Sequence, residues 1–76
     1  MKYIEEITFG EFFEFNGKIF ILTQDYDNKN NHMCISIDSG QSRWLSGNTI
    51  VKNIELYRLD DENNIAPIKP KSKENI

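Results

Sequence analysis

The chain has 76 residues, of which 38% are hydrophobic and 28% are charged, and this length allows one domain and excludes a two-domain enzyme. The sequence has no apolar run that could span a membrane and no apolar signal segment after Met1, so we expect a cytoplasmic protein without membrane association. The single cysteine, Cys34, excludes an intrachain disulfide, and the formal net charge of −3 argues against general nucleic-acid binding.

The first element in chain order is ambiguous, and the second is a hairpin. Residues 2–8 fit a short helix and a short strand equally well, and Gly10 ends either one. Two apolar, β-rich runs then flank Asn16-Gly17. Because both central residues of a type I′ turn have positive φ, which Asn and Gly tolerate best, this pattern predicts a β-hairpin.

The middle of the chain predicts a second hairpin after a polar loop at residues 25–31. Residues 32–38 alternate, with Met33, Ile35 and Ile37 on one side, which predicts a strand with that face buried. A tight turn at 38–41, a returning strand at 42–46, a break at 46–49 and a last strand at 50–59 follow.

The alternating pattern ends at Asp60. Residues 60–64 are polar, and Pro67 and Pro70 exclude a helix or sheet interior. We therefore expect a β-domain at residues 1–59 and a polar tail at residues 60–76 that is flexible or loosely docked.

The predicted order is hairpin, long loop, hairpin, one-turn break and final strand. With Gly10 before the first strand and Ser39-Gly40 at the distal turn, residues 9–59 resemble the SH3-like barrels. This resemblance implies an all-β fold, a small five-stranded SH3-like barrel or roll with a flexible C-terminal tail. It implies no activity.

A second resemblance concerns the origin of the chain. The Gly10-x-Phe12-Phe13 start, the Asn16-Gly17-Lys18 hairpin and the ending Asn48-Thr49-Ile50-Val51 resemble small phage-encoded proteins. Eleven Ile, nine Asn and seven Lys against one Ala and two Arg suggest a low-GC genome. The resemblance implies that the protein is located in the cytoplasm of an infected bacterium.

The first hairpin is apolar on both predicted faces, and a small barrel has one interior. Phe13, Phe15, Ile19 and Ile21 are predicted on one face, and Phe12, Phe20 and Leu22 on the other. The second face needs a cover from the N-terminal segment, the tail or a second copy of the chain. We expect a homo-oligomer with these last three residues at its interface.

The sequence offers no convincing catalytic or metal site. His32 and Cys34 lie on one side of a predicted strand, but no oxyanion motif accompanies them, so we interpret them as a surface histidine and a half-buried cysteine. The clustered carboxylates are interpreted as solvated surface, namely Glu5, Glu6, Glu11 and Glu14. We expect no enzyme activity, no metal and no cofactor.

The candidate ligand site is Arg43-Trp44. An Arg, an aromatic plane and small donors suit a nucleotide, with the guanidinium on phosphate and the ring on the base. The other proposed members are Ser46, Asn48, Thr49 and Tyr26. The alternative is that Trp44 packs in the core and Arg43 is solvated on the opposite side.

Three functions follow from these patterns. The first is a non-enzymatic phage accessory protein that counters host defence as an oligomeric sponge for a small anionic nucleotide immune signal. The second is an inhibitor that binds a host defence protein by surface contact. The third is a housekeeping β-barrel protein-interaction module.

Overall fold

The computed structural model of the chain describes residues 1–68, which are all-β apart from one 3₁₀ turn at Ile4–Glu6. The strands are β1 (Lys2–Tyr3), β2 (Phe12–Phe15), β3 (Lys18–Tyr26), β4 (Asn31–Ser36), β5 (Ser42–Ser46), β6 (Ile50–Ile54), β7 (Leu56–Leu59) and β8 (Ile65–Ile68). The N-terminal segment is thus both a strand and a helical turn, which explains why its sequence fits either.

Six strands form one antiparallel sheet in the order β1-β6-β2-β3-β4-β5, and β7 and β8 form a separate hairpin. The sheet is open, because its edge strands β1 and β5 do not pair within the described residues. Two backbone bonds join these ends instead: the Ile4 N–H donates to the Thr49 carbonyl at 3.0 Å, and the Glu5 N–H donates to the Gly47 carbonyl at 2.9 Å. The all-β prediction is confirmed, but the sheet is not a closed five-stranded barrel.

The hairpin at Asn16-Gly17 forms as predicted. Asn16 has φ 53° and Gly17 has φ 75°, and Phe15 pairs directly with Lys18 across the turn. Positive φ at both central residues identifies the type I′ turn. This turn fixes the register of β2 against β3.

That register corrects the predicted division of the hairpin into two faces. Phe13 pairs with Phe20, their rings stacked with centroids 5.6 Å apart, whereas Phe12 pairs with Ile21. Directly opposed residues share a face, so Phe20 belongs with Phe13 and not with Phe12. Phe12, Phe20 and Leu22, which the sequence places at an interface between copies, are 8%, 3% and 4% exposed within the single chain.

The core lies on the inner face of the sheet, under the N-terminal segment. Ile4 and Ile7 from this segment join Phe20 and Leu22 from β3 in one buried cluster, and Phe15 packs against it. Four further members complete the cluster, namely Phe13, Cys34, Leu45 and Val51. The N-terminal segment therefore supplies the cover that the sequence leaves open.

The buried side of β4 is the opposite of the predicted one. Cys34 and Ser36 are buried, while Met33 and Ile35 are half-buried and Ile37 is 42% exposed. The hydrophobic alternation misleads here because the outer face of the sheet is also apolar.

The polar loop is shorter than predicted, since β3 continues to Tyr26 and β4 begins at Asn31. Asp27 organises the four residues between them. Its Oδ1 accepts the backbone N–H groups of Lys29 and Asn31 at 2.9 Å each. Hydrogen bonds from Asn31 and Lys29 to its carboxylate lower the pKa of Asp27.

The C-terminal part differs from prediction in two ways. The predicted last strand is split at Glu55 into β6 and β7, and residues Ile65–Ile68 form β8 opposite β7. Pro67 pairs with Tyr57, a position that Pro can take because β8 is an edge strand. Residues 69–76, the rest of the predicted tail, lie outside the described residues.

We predict that Gly17→Val lowers the free energy of unfolding by about 1–3 kcal/mol, because a β-branched residue resists positive φ. No atom lies within 4 Å of a Cβ built at Gly17, so the cost comes from backbone conformation and not from a clash. Urea denaturation measures it, with Gly17→Asn as the control. Equal losses in both variants would contradict this account.

We also predict that removing residues 62–76 leaves the six-stranded sheet folded. β8 pairs with β7 alone, and none of its residues belongs to the buried core cluster. Differential scanning calorimetry of the truncated chain should show a cooperative transition. Loss of that transition would mean that the C-terminal hairpin is part of the core.

Candidate functional site

A polar pocket of about 160 Å³ lies at the end of the sheet near the β4–β5 turn. Its lining combines two cationic side chains with hydroxyl and amide groups and one aromatic ring. The lining residues are Lys18, Phe20, Ser36, Ser39, Gln41, Ser42 and Arg43. No carboxylate lines it, although the whole chain carries a net charge of −3.

The strand register brings these side chains together. Lys18 and Phe20 are two apart on β3 and share a face, and Phe20 pairs with Ser36 on β4. Arg43 pairs with Cys34, which is two residues before Ser36. Three adjacent strands therefore present a lysine, a serine and an arginine on the inner side of the sheet.

The β4–β5 turn closes the pocket at one side. Gly40 has φ 74°, and its N–H donates to the Ser36 carbonyl at 2.8 Å. The Gln41 N–H donates to the Ser39 hydroxyl at 3.2 Å, and the Ser36 N–H donates to the Gln41 carbonyl at 2.9 Å. These bonds hold the turn beside Lys18 and Arg43.

Arg43 is the stronger anchor of the two cations. Its guanidinium carbon lies 5.6 Å from the centroid of the Phe15 ring, a cation–π contact that orients the planar group. Within residues 1–68, neither Arg43 nor Lys18 has an ion-pair partner. The charge of both groups is thus available to an anion.

The structure separates Arg43 from Trp44. Trp44 pairs with Met33 and lies on the outer face, 49% exposed, whereas Arg43 lies on the inner face opposite Cys34. Trp44 is therefore not a core residue, and its ring does not line the pocket that contains Arg43.

The remaining predicted site residues lie at the other end of β5. The Ser46 hydroxyl donates to Asn48 Oδ1 at 2.7 Å, and the Thr49 N–H donates to the Ser46 carbonyl at 3.0 Å. With the bonds from Ile4 and Glu5 to this turn, these residues hold the N-terminal cover in place.

Tyr26 belongs to a third location. It is 73% exposed and borders a groove of about 290 Å³ with Phe9, Thr23 and His32. The Tyr26 and His32 rings are 6.1 Å apart. This groove has neither Lys nor Arg among its lining residues, so it is a poorer anion site than the polar pocket.

His32 and Cys34 do not form a nucleophile–base pair. The His32 Nε2 lies 3.0 Å from Asn30 Oδ1, and the Cys34 thiol donates to the His32 carbonyl at 3.6 Å. Burial raises the pKa of Cys34 from 9.0 to about 11, and nearby Arg43 lowers it only in part. Cys34 is therefore a neutral thiol near pH 7.

Sequence reasoning found Arg43 and Ser42 but missed the other pocket residues, namely Lys18, Phe20, Ser36, Ser39 and Gln41. The available signal was the type I′ turn, which places Lys18 two residues from Phe20 on the same face. The position of Ser36 depends on the register of β3 against β4. That register could not be predicted, because the length of the loop between the two strands was not known from the sequence.

No family model, curated protein or solved structure matches this chain. Residues 1–68 contain no cluster of three or more His, Cys, Asp or Glu side chains that could hold a metal ion. No helix among these residues is long and apolar enough to cross a membrane. The function must therefore be inferred from the geometry of the site.

We predict a stability loss at high pH that depends on Cys34. Because the folded pKa is raised, the neutral thiol favours the folded state fully below pH 9.0, and this contribution is lost as the pH rises toward about 11. The melting temperature of the parent should fall more between pH 8 and pH 11 than that of Cys34→Ala. Equal decreases in both proteins would contradict the raised pKa.

Proposed function

We propose that the chain is a non-enzymatic binding protein that captures a phosphate-bearing ligand in the polar pocket. The observation that carries this proposal is the convergence of Lys18 and Arg43, neither ion-paired within residues 1–68, on a pocket without a carboxylate. Cations that face no carboxylate in an acidic protein favour an external anion as their partner.

The donors in the pocket support phosphate as the anion. Arg43 offers a planar fork that can bind two phosphate oxygens, and Lys18 supplies a point charge. The hydroxyl groups of Ser36 and Ser39 add neutral donors. This combination matches the tetrahedral oxygens of a phosphate group.

The size of the pocket limits what it can enclose. Pockets for drug-sized ligands span about 300–1,000 Å³, and this pocket has about 160 Å³. A phosphate group would fit inside, and the rest of a nucleotide would extend into solvent. The nucleotide immune signal predicted from the sequence is compatible with this arrangement if one phosphate anchors it.

Calorimetric titration with inorganic phosphate, adenosine 5′-monophosphate and a cyclic dinucleotide tests the proposal. We predict that Arg43→Ala weakens binding by about 2 kcal/mol, which is about 30-fold in Kd, the loss expected for a charge-assisted contact. Lys18→Ala should also weaken binding. Comparison of the three ligands shows whether recognition extends beyond the phosphate.

Arg58→Ala is the matched control, because it removes the same side chain from β7, away from the pocket. It should leave Kd unchanged, as should Cys34→Ser. If Arg58→Ala weakens binding as much as Arg43→Ala, the interaction is nonspecific charge attraction. If all variants bind like the parent, the polar pocket is not the site.

A second candidate is the surface-contact inhibitor of a host defence protein. The observation in its favour is the apolar outer face at β4 and β5, where Trp44 is 49% exposed and pairs with the half-buried Met33. Exposed apolar patches of this kind mark protein-binding surfaces.

The phage setting and the SH3-like relationship remain part of the proposal. Strands β2 to β5 form a consecutive antiparallel meander, and β6 returns to pair with β2. This connectivity supports an SH3-like unit at β2–β6, to which β1 is added. It supports a relationship of fold alone, since the fold by itself specifies no chemistry.

A further inference from the structure

The free edge of β5 is the surface from which we draw a further inference. β5 (Ser42–Ser46) ends the six-stranded sheet, and its one strand neighbour within the described residues is β4. An unpaired strand edge presents N–H and C=O groups that can pair with another chain. We propose that β5 pairs with β5 of a second copy, antiparallel about a two-fold axis at Trp44.

The hydrogen-bonding pattern of β4 and β5 shows which groups face outward. The Ser36 N–H donates to the Gln41 carbonyl, and the Gly47 N–H donates to the Asn30 carbonyl. Because hydrogen-bonded pairs alternate in an antiparallel ladder, Arg43 and Leu45 also bond toward β4. The backbone groups of Ser42, Trp44 and Ser46 therefore point to the free edge.

These outward groups are complementary to themselves. With the two-fold axis at Trp44, each Trp44 N–H faces the Trp44 carbonyl of the other copy, and each Ser46 N–H faces a Ser42 carbonyl. The Ser46 carbonyl already accepts from Thr49 and is the one outward acceptor with an internal partner. An isologous interface requires such pairing, and the free edge of β5 meets this requirement.

Charge also favours this edge. Residues 1–68 contain eleven acidic and six basic side chains, yet β5 contains no acidic residue. In the proposed register, Arg43 lies opposite Leu45 of the other copy, so the two arginines do not oppose each other directly. Two acidic molecules can approach here without direct repulsion between carboxylates.

Side chains at the axis add to the interface. The two Trp44 rings would be a cross-strand pair on the outer face, next to Met33 of each copy. Aromatic cross-strand pairs stabilise sheets. Trp44 is 49% exposed in the single chain, so it has surface to bury.

The other strand edges are protected against such pairing. β1 has two residues and carries Lys2, and β8 carries Pro67. β7 is flanked by Glu55 and Asp60, which would place carboxylates from two copies close together. Native proteins use such short strands, prolines and charges to block edge pairing.

Charge substitutions at the axis test the proposal through molar mass by sedimentation equilibrium. The parent should be a dimer. Trp44→Lys and Trp44→Glu should each weaken dimerisation by about tenfold or more, because like charges then lie directly opposite. An equimolar mixture of the two variants should form a heterodimer, since the charges become complementary.

A cysteine cross-link tests the register and does not depend on those variants. Trp44→Cys should form a disulfide between copies, because opposed Cα atoms in a hydrogen-bonded pair are about 5.5 Å apart, within disulfide range. Ser42→Cys is the matched control and should not cross-link, since its counterpart would lie about 14 Å away. The buried Cys34 can remain in both proteins.

The outcomes decide the proposal. A parent chain that is monomeric at every concentration, or a Trp44→Lys variant that dimerises like the parent, overturns it. Equal cross-linking at positions 42 and 44 overturns the register. Because the polar pocket is formed within one chain, loss of the dimer would leave the proposed phosphate binding untouched.

Discussion

The two-residue turn at Asn16-Gly17 is the constraint on which the rest of the structure depends. It pairs Phe15 with Lys18, and this register stacks Phe13 on Phe20 in the core. A shift by one residue would turn every side chain of the strand to the other face. The same register that buries Phe20 therefore places Lys18 on the inner side, where it becomes part of the polar pocket.

The N-terminal segment completes the core by covering one end of the inner face of the sheet. Ile4 and Ile7 pack there, held by backbone bonds to the turn after β5. On β5, Leu45 is 7% exposed whereas Arg43, on the same face, is exposed. The boundary of the hydrophobic core thus crosses β5 between these residues, and the polar pocket occupies the uncovered end.

Local features of the backbone could be predicted from the sequence, whereas contacts between distant parts of the chain could not. The type I′ turn, the bounds of β5 and the all-β class follow from turn residues and alternation, which act over a few positions. The prediction of which face of β4 is buried was wrong, because Met33 and Ile35 make the outer side of this strand as apolar as its inner side. β8 was missed because Pro67 weakens a strand pattern, although an edge strand admits it. Of the pocket, Arg43 was found from its residue type, while Ser36 required the β3–β4 register.

Arg43 and Trp44 are adjacent in sequence, but the alternation of side chains along β5 directs them to different surfaces. Arg43 points to the inner pocket, Trp44 points to the outer face, and the backbone of Trp44 faces the sheet edge. The surrounding body is acidic, but solvent-exposed charges farther than a Debye length of about 8 Å at physiological salt are largely screened. Among the residues that line the pocket, Lys18 and Arg43 carry the charge that an anion inside it meets directly. The two features meet on one strand without competing, since the pocket uses inner side chains and the edge uses main-chain groups.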